Sequence, residues 1–212
     1  DLNLAPVETE TSRELVSRWR DGGVPTDFAW IAGPAANSKR GINLDTGNLL
    51  AEPASLATLA AEAETDPFYS WHARMRCTRD GTFDGLLGWF DCLLHSDVRM
   101  TNSPLADDRL ERPQAFLPLP EPVTVQNGEA IDATIMARPL DHIIAWTVEL
   151  PEQGKRFSLT TFNGLLLDDE ALERSRPDRL ARLNDRGRTR QVILSYCDGT
   201  RTASEIEALV RR

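Results

Sequence analysis

Cysteine is scarce in this sequence, and the few cysteines are far apart. The chain contains three of them, Cys77, Cys92 and Cys197, and no two form a Cys-x-x-Cys pair. An odd number of scattered cysteines excludes the disulfide framework of a small secreted domain and the paired thiols of a zinc site. We therefore expect reduced thiols, buried as small apolar side chains, in a cytoplasmic protein.

Long apolar runs and an excess of positive charge are also missing. No stretch of about 18 apolar residues occurs, so we expect neither a transmembrane helix nor a membrane partner. The chain begins with Asp1 and shows no signal-peptide pattern, so we expect a fragment whose natural N-terminus has been removed. A net charge of −9 argues against a nucleic-acid partner, because phosphate contacts require clustered lysine and arginine.

The motifs of common active sites are absent as well. The sequence has no glycine-rich nucleotide loop, no P-loop and no Gly-x-Ser-x-Gly nucleophile motif. His95 and Asp97 share a face at the end of a predicted strand, but without a third partner we interpret His95 as structural. His72 and His142 lack metal-ligand spacing. From the residues alone we predict no catalytic, cofactor-binding or metal-binding residue.

A series of short β-strand patterns fills the middle of the chain. They cover residues 72–79, 84–94, 113–125, 123–137, 142–150 and 156–162. Strands at this spacing, without alternating helices, predict a mainly β protein, either an antiparallel barrel or a sandwich. Asn127–Gly128 predicts a hairpin turn. The prolines of residues 113–125 predict an edge strand or an extended loop.

Helical patterns lie toward both ends. Residues 10–45 join a short amphipathic helix to a segment rich in Gly, Pro and Asn, which predicts a helical and irregular arm inserted into the β domain. Residues 52–64 have apolar side chains at helical spacing and predict a short helix. Residues 165–212 predict a small α-helical domain, with Thr202 or Ser204 as the cap of its last helix.

The β segment resembles the C-terminal β-barrel domain of protein arginine methyltransferases. In that family a Gly-Trp-Phe-Asp strand leads to a Ser-x-Ser-Pro loop, a glutamine with an apolar segment, and then Val-x-x-Gly-Glu-x-Ile. The corresponding elements here are Gly88 to Asp91, Thr101 to Pro104, Gln114 to Leu119 and Val125 to Ile135. Asp1 to Glu8 is similar to the family's first barrel strand, so the resemblance covers about residues 1–164.

The resemblance implies an arm that contacts a second subunit. Residues 10–45 fall where the family inserts its dimerisation arm, within a methyltransferase-type barrel domain of residues 1–164. The arm contains four large apolar side chains, which are our candidates for the dimer contact: Trp19, Phe28, Trp30 and Ile31. We therefore expect a homodimer.

Two departures from the family concern its active site. The family places Thr-His-Trp before the glutamine, where it helps to form the arginine pocket. Leu110, Glu111 and Arg112 stand at that place, so they are our substrate-groove candidates, and the resemblance no longer implies that arginine is the methylated residue. The cofactor domain of the family is not in this chain. We expect no cofactor in these residues and S-adenosylmethionine in the intact protein.

These features lead to one expected function and one alternative. The resemblance implies the substrate-binding and dimerisation portion of a methyltransferase that acts on a peptide or protein. Residues 1–170 hold 27 acidic and 14 basic residues, which suits a basic peptide. The alternative is a non-catalytic module that binds a peptide and presents it to a separate enzyme. A nucleotide-binding βα unit directly upstream of Asp1 would favour the enzyme.

Residues 178–212 resemble a second family, the small winged-helix proteins of the PqqD type. The shared pattern is Leu183–Asn184, Ile193–Leu194, Cys197–Gly199 and Glu205–Ile206. Proteins of this type bind the leader peptides of modified natural products. The resemblance implies a PqqD-like domain at residues 165–212, and a plain helical cap on the barrel is the alternative.

Overall fold

The computed structural model describes residues 1–21, 25–60, 65–95, 98–166 and 183–211, and residues 169, 173, 176, 178 and 180. The chain divides into two units, Asp1–Leu166 and Leu167–Arg212, and each is described by itself. The first unit is built mainly of β-strands, and the described residues of the second contain two helices. The predicted mainly β class with small C-terminal helices is confirmed.

Antiparallel strands form the body of the first unit. They are β1 (Leu2–Val7), β2 (Arg40–Ile42), β3 (Ala54–Ala57), β4 (Tyr69–Arg76), β5 (Gly81–His95), β6 (Val98–Thr101), β7 (Gln114–Val125), β8 (Ala130–Arg138), β9 (Ile143–Leu150) and β10 (Lys155–Thr160). Burial follows the two-residue period of the sequence: in β4, Ala73 and Met75 are buried, whereas Arg74 and Arg76 are exposed.

The strands are arranged in two sheets. One runs β2-β7-β5-β1-β3, with β6 paired to β5, and the other runs β10-β9-β8-β4. In the part of the chain that the structure describes, the sheets do not close into a barrel, so of the two predicted architectures the sandwich is correct. The edge strands β2 and β3 are only three and four residues long, which leaves little backbone for a ladder that would join the sheets.

The main core lies between the two sheets. Both sheets contribute fully or almost fully buried side chains to it: Leu4, Phe83, Leu86, Leu119, Ile131, Trp146, Val148 and Leu150. The indole N–H of Trp146 on β9 donates to the carbonyl of Pro118 on β7 at 3.2 Å. This hydrogen bond satisfies a buried donor and joins the two sheets at their centre.

A second apolar cluster covers the other face of the six-stranded sheet. Its buried members are Ala5, Val7, Leu44, Leu87, Trp89 and Phe116, with Ile42 and Leu49 partly buried against them. The segment around residues 42–49 therefore shields this face from water. Because β5 is buried on both faces here, its sequence is a continuous apolar run rather than an alternating one.

A bulge explains two of the three prolines in β7. Residues Gly85–Gly88 of β5 pair with Ala115–Pro118, and residues Gly81–Phe83 pair with Val123–Val125. The four residues 119–122 of β7 thus stand opposite Asp84 alone, and Pro120 and Pro122 need no ladder N–H there. β2 pairs with β7 only up to Phe116, so the prolines also lie beyond the neighbouring strand, as predicted for an edge.

The hairpin predicted at Asn127–Gly128 is wrong as a strand pairing. The turn exists, and Gly128 has a φ of 86°. However, β7 pairs with β5 in one sheet, and β8 pairs with β4 and β9 in the other. The turn is hydrogen-bonded to the backbone of Cys77. The Gly128 N–H donates to the Cys77 carbonyl at 2.7 Å, and the Cys77 N–H donates to the Glu129 carbonyl at 2.9 Å. The turn therefore carries the chain from one sheet to the other.

The helix predicted over residues 52–64 is wrong in its described part. Ala54–Ala57 form β3, which pairs with β1 through Leu2↔Ala57 and Leu4↔Ala54. Residues 61–64 lie outside the described part of the chain. The exposed edge of β1 offers backbone partners to this segment, and such tertiary pairing overrides a weak local preference for helix.

The arm begins with helical turns that are anchored to the sandwich. They are α1 (Glu10–Ser12), a π-helical stretch (Arg13–Ser17), α2 (Arg18–Asp21), a 3₁₀ segment (Thr26–Ile31) and α3 (Ala32–Ala36). At the start, the Thr9 N–H donates to the buried carboxylate of Asp84 at 2.9 Å. At the end, Asn37 accepts from the backbone N–H of Thr160 at 2.8 Å. The arm is helical and irregular, as predicted. Further 3₁₀ turns are Thr46–Asn48, Pro139–Asp141 and Pro151–Gln153.

The described residues of the second unit contain α4 (Asp185–Tyr196) and α5 (Ala203–Val210). Gly199, with a φ of 83°, lies in the break between them. Thr202 and Glu205 form a reciprocal capping box at the start of α5, and hydrogen bonds from Thr202 hold the pKa of the Glu205 carboxyl below its usual value. None of the described helices combines the length and the apolar character that crossing a bilayer requires.

Gly85 provides a test of the packing between β5 and β7. A Cβ built there would lie 2.5 Å from the Leu117 carbonyl oxygen and 2.6 Å from the Phe116 ring. We expect Gly85→Ala to lower the free energy of unfolding by about 1–3 kcal/mol in urea denaturation, because the strands must separate. Gly33→Ala is the control, since nothing lies within 4 Å of its Cβ position. Equal stabilities of the two variants would contradict this packing.

Candidate functional site

The candidate site is built around the loop of residues 102–113, which connects β6 to β7. Asn102 is buried, with 3% of its surface exposed. Its Oδ1 accepts from the backbone N–H of Phe90 at 3.0 Å, and its Nδ2 donates to the carbonyl of Pro113 at 3.1 Å. One side chain therefore joins β5 to the far end of the loop.

Gln114 provides a second buried anchor and is only 1% exposed. Its Nε2 donates to the carbonyl of Asn102 at 2.9 Å, and its Oε1 accepts from the backbone N–H of Leu44 at 3.0 Å. Because both ends of this amide are bonded, it can lie in the interior without leaving an unpaired polar atom. The two amides together hold both ends of the loop and the segment that follows β2.

Arg109 fixes the middle of the same loop. Its Nη1 donates to the carbonyl of Leu44 at 2.8 Å, and its Nη2 contacts Oδ1 of Asp45 at 2.7 Å. Thr101 accepts from the Ser103 N–H at 2.9 Å and so shapes the first turn. The loop is thus fastened at three places, and the residues between these places are presented on a fixed backbone.

A cavity of about 400 Å³ lies beside the loop, at the end of the sandwich where β4, β7 and β9 begin. Both sheets line this inter-sheet cavity with apolar side chains, among them Leu4, Trp71, Phe90, Leu117, Ile135 and Ile144. Its polar lining residues are Asn3, Lys39, Asn102, Arg112 and Gln114. An apolar cavity of this size with few polar groups is typical of a small-molecule site.

A second cavity of about 410 Å³ is lined by β5, β6 and the loop. Three carboxylates contribute to this acidic cavity, those of Asp1, Asp91 and Asp108, and Arg99 is its one basic residue. The Asp91 carboxylate accepts from Nδ2 of Asn3 at 2.7 Å. The surplus of carboxylates suits a cationic ligand group.

The structure separates the predicted groove residues. Leu110, Glu111 and Arg112 are all exposed. Leu110 lines the acidic cavity, whereas Arg112 lines the inter-sheet cavity, where its guanidinium lies 5.6 Å from the centre of the Phe90 ring. The three residues therefore lie on one loop but do not converge on one cavity.

The predicted arm residues divide into two pairs. Phe28 is 49% exposed and Trp30 is 60% exposed. Trp19 and Ile31 are half-buried, and Trp19 packs against the main core. The structure thus presents two aromatic rings at the arm's surface and directs a third toward the sandwich.

Sequence reasoning missed a polar row on the outer face of the four-stranded sheet. His72, interpreted as isolated, lies 3.3 Å from Thr134 and 3.8 Å from Asp132, and Arg74 lies 3.6 Å from Asp132. Glu149 stands next to them on β9. The period-two pattern could have put each residue on the outer face but not on neighbouring strands. Partly exposed ion pairs of this kind contribute about 0–1 kcal/mol each to stability.

The question of His95 and Asp97 concerns the end of β5. His95 is exposed and stands opposite Val98 of β6. Asp97 lies outside the described residues, so the pair itself is not described. Among the residues that the structure describes, no group of three or more His, Cys, Asp or Glu side chains is placed to hold a metal ion.

Burial raises the pKa of the Cys77 thiol, which keeps it protonated and unreactive.

Replacing Gln114 tests the anchoring of the loop. Gln114→Leu leaves the Leu44 N–H and the Asn102 carbonyl without partners in the interior, so we expect a loss of about 2–4 kcal/mol in the free energy of unfolding. Gln153→Leu is the matched control, because the Gln153 amide also makes two hydrogen bonds, donating to Thr124 and to Glu129, but at the surface. Urea denaturation should show less than about 1 kcal/mol for the control. A similarly small loss for Gln114→Leu would mean that the loop is held otherwise.

No family model matches the sequence, and no curated protein matches it. Solved structures match it in fold. The chain is similar to a chain of the Trypanosoma brucei PRMT1 enzyme–prozyme heterotetrameric complex with AdoHcy, with a TM-score of 0.61 and 11% identity, over 75% of this chain and 55% of that one. It is also similar to Arabidopsis thaliana protein arginine methyltransferase 10 in an open conformation, with a TM-score of 0.54 and 11% identity, over 75% and 57%.

These two similarities extend over little more than half of each solved chain. At 11% identity they concern the fold. The described strands of this chain therefore have a methyltransferase-related fold, which agrees in part with the resemblance in the sequence. The similarity to PqqD-type proteins is not shown by these comparisons.

Proposed function

We propose that this chain is the C-terminal substrate-binding and dimerisation portion of an S-adenosylmethionine-dependent, arginine-methyltransferase-like enzyme that acts on a peptide or protein. The observation that carries the proposal is the likeness in fold to two arginine methyltransferases. The geometry of the loop supports it, because three sequence blocks that resemble the family meet at Asn102. Phe90 and Gln114 belong to the flanking blocks, and both are hydrogen-bonded to it.

The proposed substrate is a basic peptide, bound along the loop of residues 102–113. Glu111 is exposed on this loop, and Asp108 and Asp91 line the acidic cavity beside Leu110. Carboxylates placed in this way attract a cationic side chain and disfavour an acidic one. The proposal does not include an arginine pocket of the family's kind, since Thr-His-Trp is replaced in this chain.

The proposed cofactor is held by polypeptide outside residues 1–212. The PRMT1 complex that this chain resembles was solved with AdoHcy, and the chain spans 55% of that protein. The methyl donor would then bind to the other part of the intact enzyme. In this arrangement the sandwich positions the peptide, and the protein acts in the cytoplasm.

The second unit is proposed to be a PqqD-like domain that binds a peptide. Support comes from the sequence pattern and from two capped helices, α4 and α5, of which α4 leaves the neighbouring Val192 and Ile193 exposed at 46% and 36%. Apolar side chains exposed on one helix are typical of a peptide-binding surface. A plain helical cap on the first unit is the alternative.

A methyl-transfer assay tests the proposed function. The natural polypeptide that contains residues 1–212 should transfer a tritiated methyl group from S-adenosylmethionine to basic peptides. The chain of residues 1–212 alone should neither transfer the group nor bind the cofactor in calorimetry. Asp108→Asn and Glu111→Gln should each raise the KM for the basic peptide about two- to fivefold with little change in kcat, as loss of one exposed ion pair predicts.

The control for this assay is Glu121→Gln, which removes a carboxylate from an exposed position in the β7 bulge and should leave KM unchanged. Peptide binding without any methyl transfer by the natural polypeptide would favour the alternative, a non-catalytic module that presents substrate to a separate enzyme. Absence of both binding and transfer would refute both functions.

The proposed homodimer is tested on the arm. Phe28→Ala and Trp30→Ala should each weaken association by about 2 kcal/mol, because exposed aromatic rings act as anchors of an interface. Trp19→Ala should instead lower the melting temperature, since this ring packs on the core. Light scattering of the intact protein at micromolar concentration measures association, with Phe68→Ala, exposed to 54% before β4, as the control. A monomeric wild type would refute the arm assignment.

A further inference from the structure

The inter-sheet cavity has an uneven distribution of charge. The chain has a net charge of −9, yet none of the residues that line this cavity is acidic, and two, Lys39 and Arg112, are basic. The same cavity is apolar over most of its wall, with leucine, isoleucine and aromatic side chains from both sheets. Apolar walls with a local excess of cationic groups fit a ligand that combines an apolar body with an anionic group.

The other polar side chains of the cavity are already committed to partners. Asn3 donates to Asp91 at 2.7 Å, Asn102 accepts from Phe90 and donates to Pro113, and Gln114 is bonded at both ends of its amide. Within residues 1–21, 25–60, 65–95 and 98–166, neither Lys39 nor Arg112 forms an ion pair. The two cations are therefore the polar groups that remain for a ligand.

The strand register separates these two cations. Ile42 pairs with Gln114 and Arg40 with Phe116, which puts Lys39 and Arg112 at opposite ends of the β2–β7 pair. At about 3.3 Å per residue, their backbones lie on the order of 15 Å apart. The anionic group is therefore assigned to one of the two cations, and the variants below test that choice.

Arg112 has the better-defined position of the two. Its guanidinium lies 5.6 Å from the centre of the Phe90 ring, so it is held against the apolar wall. The carbonyl of its neighbour Pro113 is bonded to Asn102, which fixes the backbone next to Arg112. A guanidinium held in this way can bind a carboxylate through two parallel N–H donors.

We propose that the inter-sheet cavity binds a small apolar carboxylate, with the hydrocarbon chain between the two sheets and the carboxylate on Arg112. The site is independent of the proposed function, because it needs no methyl donor and no second subunit. The wall contains Trp71 and Trp89, so a ligand in the cavity changes the environment of intrinsic fluorophores.

The test compares three ten-carbon probes with one hydrocarbon chain and different head groups. Decanoate, decanol and decylamine are titrated into the chain below their micelle concentrations, with tryptophan fluorescence and calorimetry as readouts. Decanoate should bind about tenfold or more tightly than either of the others, since a charged hydrogen bond distinguishes it. Equal binding of the three would overturn the carboxylate site, and binding of none would overturn the cavity as a site.

Single-residue variants test which side chain binds the carboxylate head group of the probe. Arg112→Gln should abolish the preference for decanoate over decanol and leave decanol binding unchanged. Lys39→Gln, at the other end of the cavity, and Arg156→Gln, on a different strand, carry the same change of charge and should retain the preference. Loss of the preference in Lys39→Gln but not in Arg112→Gln would overturn the assignment to Arg112.

A filled cavity should bind none of the probes. Gly88 lines the cavity, and a Cβ there meets nothing closer than 3.7 Å, so Gly88→Leu is the first filling variant. Ala137→Phe fills the cavity from the opposite sheet and is used if Gly88→Leu does not fold. Retained decanoate binding in a folded, filled variant would place the ligand elsewhere and overturn the proposal.

Discussion

The pair of buried amides, Asn102 and Gln114, is the constraint on which the candidate site depends. Together they satisfy backbone groups of β5, of the loop and of the segment after β2, and the Gln114 amide donates to the backbone carbonyl of Asn102. A buried network of this kind is stable only when every member is bonded, so it permits one arrangement of the three chain segments. The loop, the inter-sheet cavity and the acidic cavity all take their shape from that arrangement.

The sandwich follows from burial on both faces of the six-stranded sheet. One face packs on the four-stranded sheet, where Trp146 reaches across to Pro118, and the other is covered by the segment around residues 42–49. The bulge in β7 allows this proline-rich strand to lie in the sheet without unpaired donors. The result is a rigid support from which the loop presents exposed, charged side chains to a ligand.

Fold and function rest on different parts of the molecule. The likeness to two arginine methyltransferases concerns the fold, and the same scaffold can carry different sites. The loop is where the sequence departs from the resembled family, and it is also where the structure has its cavities and exposed charges. The proposed choice of substrate therefore rests on these particular residues. The scaffold explains only how they are held in place.

The sequence by itself indicated β1, β4, β5 and β7 to β10, an antiparallel arrangement, and helical segments toward both ends, because periodicity and capping are local properties, but it missed the short strands β2, β3 and β6. It also located the Gln114 block and the loop through the resemblance. Only the tertiary structure decided which strands pair. β7 pairs with β5 and not with β8, and Ala54–Ala57 pair with β1 instead of forming a helix. It alone brought Lys39, Trp71, Arg112 and Ile144 to one cavity. Such contacts join distant segments, and their selection depends on shared burial and hydrogen bonding that no local pattern contains.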